Sequence, residues 1–265
     1  MHLSPDRHRE IARSIVAAEQ TKRYVTPVST SWPDADVEDA YAIALAVRDL
    51  KVAAGARVKG HTVGLTSKAM REMFDASEPD YGFIYDDWFV PEGSAVSADR
   101  LNRALVEQEV AFVLGDALRG PAVNAADVIR ATDFVLGALE VVDSRYDGRG
   151  PNMLVDSISD GASCGFVVLG GCPRRLTDID PRRIGGALSI GGEVHESGVA
   201  SAVLGNPVNA VAWLANTLHR FGVTMQPGDV ILSGSFIRAV PIGPGDTVTG
   251  AFDELGDVTI RISER

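Results

Sequence analysis

Leu105-Val-Glu107-Gln-Glu109-Val-Ala-Phe-Val-Leu114 is the stretch from which the rest of the chain is best read. Valine, leucine and phenylalanine dominate it, so it reads as a β-strand in which residues two apart share a face. Glu107 and Glu109 therefore point the same way out of an otherwise apolar run. Adjacent carboxylates repel one another and each loses hydration on burial, so a buried pair needs a shared proton or a hard cation. A third acidic residue sits in another strand-like run, Phe134-Val-Leu-Gly-Ala-Leu-Glu140-Val-Val142. Three carboxylates on neighbouring strands make an octahedral, partly hydrated Mg²⁺ or Mn²⁺ site. The competing reading is an edge strand with Glu107 and Glu109 in solvent. The common E-x-E spacing leaves both open.

The totals narrow the field. The 265 residues are 45% hydrophobic and 23% charged, as in ordinary globular proteins. A net charge of −11 argues against a phosphate-backbone partner, so no nucleic-acid binding is expected. Cys164 and Cys172 show no CxxC or Cys/His zinc spacing. With no signal-peptide pattern at the N-terminus, they are expected to be reduced thiols in a cytoplasmic protein. No apolar run approaches the ~18 residues of a membrane span. Length and pattern suggest a helical N-terminal region, residues 1–56, ahead of one main body, residues 57–265.

Along the chain, residues 5–20 read as a first helix with Ile11, Ile15 and Val16 on its apolar stripe. Asp36 reads as the N-cap of a second helix, with Gly55 just past its end. Residues 57–65 turn strand-like, and Thr66 or Ser67 caps a short helix over 68–74. The segment from Ser77 to Phe89, rich in turn residues and aromatics, reads as a surface turn stapled by Tyr81, Trp88 and Phe89, with a loop that lines a site as the other reading. Asn124 with Asp127 resembles a capping box. The small and hydroxyl residues from Asp156 to Gly165 read as a turn or a close approach to a ligand. Asn206 and Pro207 open an amphipathic helix that runs to Phe221. Pro-Gly-Asp turns then separate short strands near 230, 247 and 258, which suggests a rolled β structure. The fold class is α+β, helices first and a mostly β body after.

Taken together, several stretches resemble one family. They are Lys59-Gly-His-Thr-Val-Gly-Leu-Thr-Ser-Lys-Ala-Met70, Glu78-Pro-Asp-Tyr-Gly82, the Glu107-x-Glu109 strand and Ala138-Leu-Glu140-Val-Val142. Further on, Ile158-Ser-Asp-Gly-Ala-Ser163, the run from Val203 to Asn216, and Gly234-Ser-Phe-Ile-Arg-Ala-Val-Pro241 belong with them. The pattern is similar, in order and over nearly the whole chain, to the 2-keto-4-pentenoate hydratase and 4-oxalocrotonate decarboxylase family of the fumarylacetoacetase-like superfamily. That resemblance implies a mixed β-roll or barrel body with an N-terminal helical region. It also implies a divalent metal, Mg²⁺ or Mn²⁺, on Glu107, Glu109 and Glu140.

The same resemblance implies Asp80 as acid/base partner, and Ser163 with nearby backbone N–H groups, together with Leu65, as substrate contacts. The expected reaction is addition of water to a 2-hydroxy-2,4-dienoate or 2-oxo-enedioate in aromatic meta-cleavage catabolism, with 4-oxalocrotonate decarboxylation as the alternative. A diacid substrate needs a second cationic anchor, for which Arg145 or Arg238 is the candidate. The resemblance further implies a homo-oligomer, able to associate with a pathway enzyme. Two positions depart from the family pattern: Gly161 replaces the more usual asparagine, and Thr62 stands where a lysine is expected. A threonine hydroxyl does not titrate near neutral pH. Lys59 is the nearest lysine upstream, but strand alternation sets positions 59 and 62 on opposite faces unless the backbone turns. His61 and Lys68 are the other candidate substitutes. A relative that keeps fold and metal without turnover is the third reading that Thr62 allows.

Overall fold

The computed structural model describes residues 1–264. It opens with α1 (Pro5–Thr21), capped by the Ser4 hydroxyl, and a single turn, α2 (Val28–Ser31). Next comes α3 (Val37–Ala53), where Asp36 and Asp39 cap each other's backbone in a capping box. α1 buries Ile11, Ala12, Ile15 and Ala18, and α3 buries Ala40, Tyr41, Ile43 and Ala44; the two pack on each other. Val16 lies at the edge of the expected stripe, half-buried.

The body follows as β1 (Val58–Gly64), α4 (Lys68–Phe74), β2 (Asp80–Tyr85), β3 (Phe89–Val90), β4 (Ala95–Ser97) and β5 (Leu105–Leu114). After these come α5 (Ala125–Ala131), β6 (Thr132–Val142), α6 (Met153–Ser159), β7 (Cys164–Leu169), β8 (Gly185–Ile190) and β9 (Glu193–Val199). The chain ends with α7 (Pro207–Arg220), β10 (Val230–Ser235), β11 (Val240–Pro241), β12 (Thr247–Phe252) and β13 (Gly256–Ser263). One mixed sheet has the order β2-β1-β10-β5-β6-β7-β3, with β11 joining β5. A second has the order β4-β13-β12-β8-β9 and packs β12 and β13 across β6. Leu139, Val248, Phe252, Val258 and Ile260 fill the space between the sheets. α7 covers β1 and β10 with Val208, Val211, Leu214, Ala215 and Leu218, the face its sequence spacing predicts. The architecture is the α+β roll with leading helices that the sequence suggests.

Two segments differ from the sequence reading. The stretch around Tyr81 is a strand, not a surface turn: β2 is buried along all six residues and pairs antiparallel with β1. Part of the small-residue segment is helix, because Asn152 caps α6 through the Val155 N–H. α6 also ties the leading helices to the body. The Ser29 N–H and hydroxyl donate to the Asp156 carboxylate at 2.8 and 2.6 Å, and α3 packs on α6.

A carboxylate triad on the wall of a cavity

Strand register builds the centre of the site. β5 and β6 pair so that Glu107 stands directly opposite Glu140, while Glu109 lies two residues along β5 on the same face. One carboxylate oxygen from each lies within 4.8 Å of the others. Glu109 and Glu140 are buried, and Glu107 is half-buried on the wall of a cavity of about 430 Å³. The edge-strand reading of the E-x-E pair is therefore wrong, since β10 and β6 flank β5 on both sides.

Each triad member has a defined surrounding. The β10 register shifts between Leu232 and Ser235, and the Gly234 N–H there donates to Glu109 Oε2 at 2.6 Å. Gly234 has φ 108°, and a Cβ on it would lie 2.2 Å from Thr66 Oγ1, so no side chain fits. The Thr62 hydroxyl donates to Glu140 Oε2 at 2.7 Å, whereas the buried Glu140 Oε1 has no partner. Burial, reinforced by Glu140 and then Asp80, pushes the Glu107 carboxyl up to about 8. Burial, then Glu140 and Glu107, raises Glu109 well above its usual value, and burial raises Glu140. Without a cation the three cannot all ionise. An all-oxygen donor set with one orphaned oxygen fits a hard divalent cation.

These shifts carry a sign that heating experiments read. Each raised carboxyl holds its proton more tightly folded than unfolded, so its contribution to stability is present below the unfolded value of ~4.5 and is lost as pH rises through the folded one. For Glu107 that window closes near 8. The metal-free protein is expected to lose Tm as pH rises from 5 to 8, and a divalent cation at ~100 Kd to raise Tm by roughly 5–10 °C at pH 8 and by less at pH 5. Equal Tm gains at both pH values in a thermal-shift assay with and without chelator would contradict this.

Other predicted site residues divide. Asp80, at the start of β2, is buried and faces the cavity with Ser157, Leu65 and Ser163. Burial, with Glu140 adding repulsion, pushes Asp80 up to about 6, and among the described residues neither of its carboxylate oxygens has a hydrogen-bond partner. Ser163 donates to Asp160 Oδ2 at 2.7 Å and ends a turn in which Gly161, Ala162 and Ser163 all have positive φ. That turn presses on β2, where a Cβ at Gly82 would sit 2.0 Å from the Gly161 carbonyl oxygen.

Five residues fall elsewhere. Lys59 is exposed, beside the Gly228–Asp229 turn, as the alternation argument requires. His61 packs on Phe83, with ring centroids 5.3 Å apart, and burial and Arg48 push it down to about 3, so it is neutral. Lys68 is exposed and pairs with Glu72 at 3.6 Å. Arg145 is buried, with Nε 2.7 Å from Asp160 Oδ1 and Nη1 donating to the Cys164 carbonyl at 2.8 Å. It braces the Gly161–Ser163 turn and borders a separate cavity of about 150 Å³, so it does not reach the carboxylate-lined one. The exposed Arg238 is paired with Glu196.

Two cavity residues escape the sequence reading. Arg103 continues the Glu109, Glu107, Leu105 alternation upstream, and that extension is the signal that would have found it. Arg149 lies in a Gly/Pro connection without periodicity, which holds no such signal.

Comparison with known proteins places the fold and sequence in one family. The sequence profile of the fumarylacetoacetate (FAA) hydrolase C-terminal family matches residues 40–263. A 2-oxo-hept-4-ene-1,7-dioate hydratase from Escherichia coli is 40% identical over 259 residues, covering 96% of this chain and 97% of the relative. A 2-hydroxyhexa-2,4-dienoate hydratase from Comamonas testosteroni is 38% identical over 247 residues, covering 92% of this chain and 93% of the relative. Among solved structures, 4-oxalocrotonate decarboxylase from Pseudomonas putida G7, complexed with magnesium and adipate, superposes with a TM-score of 0.94 at 34% identity. That match covers 98% of both chains.

Proposed function

Since the chain belongs to the fumarylacetoacetate hydrolase family and is a metal-dependent enzyme, we propose that it is a hydratase of a 2-hydroxy-2,4-dienoate or 2-oxo-enedioate, forming a 4-hydroxy-2-oxo acid in aromatic meta-cleavage catabolism. The observation that carries the reading is the convergence of Glu107, Glu109 and Glu140 beside a cavity that Glu107 and Asp80 line. Mg²⁺ or Mn²⁺ on the triad would supply a Lewis acid that polarises the carbonyl of a 2-oxo acid.

The chain's own residues do the rest. Glu107, Glu109 and Glu140 hold the cation, and Gly234 and Thr62 orient two of them by hydrogen bonds. Asp80, buried and raised toward neutrality, holds or delivers a proton at the reacting carbons. The N–H groups of the positive-φ turn that Ser163 closes, held in place by the Ser163 hydroxyl's bond to Asp160, receive the substrate carboxylate, with Leu65 against the carbon chain. Thr62 acts as a donor to Glu140 and not as a base. Thr62→Ala is therefore expected to weaken metal affinity roughly 10-fold, within the range for removing a group that orients a ligand. Calorimetric titration with Mn²⁺ checks this, and an unchanged affinity would count against the role.

Decarboxylation of 4-oxalocrotonate is the second reading, favoured by the closeness of the backbone to the solved decarboxylase. Incubation of each substrate with protein and Mg²⁺, followed by mass spectrometry, separates the two. Addition of water supports the hydratase, and CO₂ release from 4-oxalocrotonate supports the decarboxylase. Loss of dienol absorbance with neither product would overturn both.

The remaining features join this reading as proposals. Residues 1–56 form a helical cap on a catalytic body of residues 57–265, and the substrate is a small molecule rather than a nucleic acid or a membrane. The protein is read as a cytoplasmic homo-oligomer able to associate with a pathway enzyme, and Val194 and Val199, exposed on the edge strand β9, offer an apolar surface for a second copy. Among the described residues no helix is long and apolar enough to cross a membrane.

A further inference from the structure

The cavity carries two arginines that no carboxylate of the chain neutralises. In this protein of net charge −11 acids are available to guanidinium groups, and Arg48, Arg57, Arg145, Arg182 and Arg238 are among the arginines that hold one. Among the described residues, Arg149 has no ion pair and no hydrogen-bond acceptor, and its guanidinium carbon lies 3.9 Å from the centroid of the Phe74 ring. Arg103 also lacks an acid. It donates to the Tyr146 carbonyl oxygen at 3.1 Å and lies 4.7 Å from the Tyr24 ring centroid. Its backbone is pinned by Asp143, whose carboxylate accepts from the Asn102 and Arg103 N–H groups at 2.9 Å.

Their placement along the cavity matters as much as their charge. Arg103 lies four residues before Glu107, at the bend that leads into β5, with Leu105 lining the wall between them. Met70, Phe74, Met153 and Ile237 supply further apolar lining. The cavity thus joins a cation-binding carboxylate end, an apolar middle and an arginine rim. That order complements an unbranched chain bearing a carboxylate at each end. A monocarboxylic dienoate would leave the rim guanidinium groups without a partner. Guanidinium grips a carboxylate through two parallel hydrogen bonds, which a lysine cannot reproduce.

We propose that Arg149, with Arg103 on the same rim, anchors the far carboxylate of a dicarboxylic substrate and sets a preference for 2-oxo-enedioates over monocarboxylic dienoates. The proposal rests on the functional reading above for the metal end of the substrate, and its test keeps the two apart. Steady-state kinetics on the Mg²⁺-loaded full chain compare a seven-carbon dienol diacid with the five-carbon monoacid, for wild type, R149M, R149K and R103M. Wild type should favour the diacid by kcat/KM. In R149M the diacid-to-monoacid ratio should fall roughly 10- to 100-fold, carried by KM, with a smaller fall in R149K. A wild-type preference for the monoacid, or a ratio unchanged in both R149M and R103M, overturns the proposal.

Calorimetry with adipate and hexanoate gives the readout that needs no turnover. Tighter binding of adipate, weakened in R149M, supports the rim anchor even if neither dienol is converted. Equal binding of the two acids overturns it even if hydration is observed.

Discussion

Glu109→Gln removes divalent-metal binding and lowers kcat/KM by roughly 10³-fold or more, about 4 kcal/mol of transition-state stabilisation. The carboxamide is neutral, so one of the three negative oxygens that face each other within 4.8 Å is lost. It also presents an NH₂ group to a centre that needs oxygen donors. A control against misfolding is built into the same variant. In the metal-free protein Glu109 is a buried carboxyl pushed upward by burial and by its two acidic neighbours. Removing it relieves repulsion, so the metal-free variant should melt no lower than metal-free wild type at pH 8. Mn²⁺ titration, kinetics and thermal melts together check this. Retained metal affinity would remove Glu109 from the site, and a lowered metal-free Tm would assign it a structural task instead.

Asp80→Asn should lower kcat by 10²- to 10⁴-fold, the usual range for losing a positioned proton carrier, while leaving Mn²⁺ affinity close to wild type. Asparagine keeps the shape of this buried side chain but cannot carry the proton. Burial and the Glu140 charge push Asp80 up to about 6, and a cation on the triad cancels the Glu140 contribution. The acid limb of the wild-type pH–kcat profile should therefore lie at or below about 6 and vanish in the variant. A variant that keeps its rate, or keeps the limb, would clear Asp80 of the proton transfer. Loss of metal binding together with rate would make it a support for the triad.

Much of this arrangement is legible from local chemistry. The caps of α3, α5 and α7 stand in the sequence as Asp36 with Asp39, Asn124 with Asp127, and Asn206 before Pro207, because a cap is a contact between near neighbours. The shared face of Glu107 and Glu109 follows from strand alternation, and the register that sets Glu140 opposite Glu107 follows the apolar pattern of β5 and β6. β2 is hidden for the opposite reason. Both of its faces are buried, so alternation vanishes, and Pro79 and Gly82 imitate turn chemistry. Parallel pairing of β1 with β10 joins residues 60–62 to 230–232, a separation no local pattern records. Arg145 misleads for a related reason. Its charge suits a second anchor for a diacid, yet the decisive partner, Asp160, lies across a helix and a turn.

Direct titration of the metal-free chain with Mn²⁺, followed by electron paramagnetic resonance of the free ion, tests the central claim that these three carboxylates form one divalent-metal centre. The account predicts one Mn²⁺ per chain, displaced by Mg²⁺ and lost when Glu107, Glu109 and Glu140 are replaced together by glutamine. Tight binding that survives the triple replacement, or no binding by the wild-type chain, would contradict it.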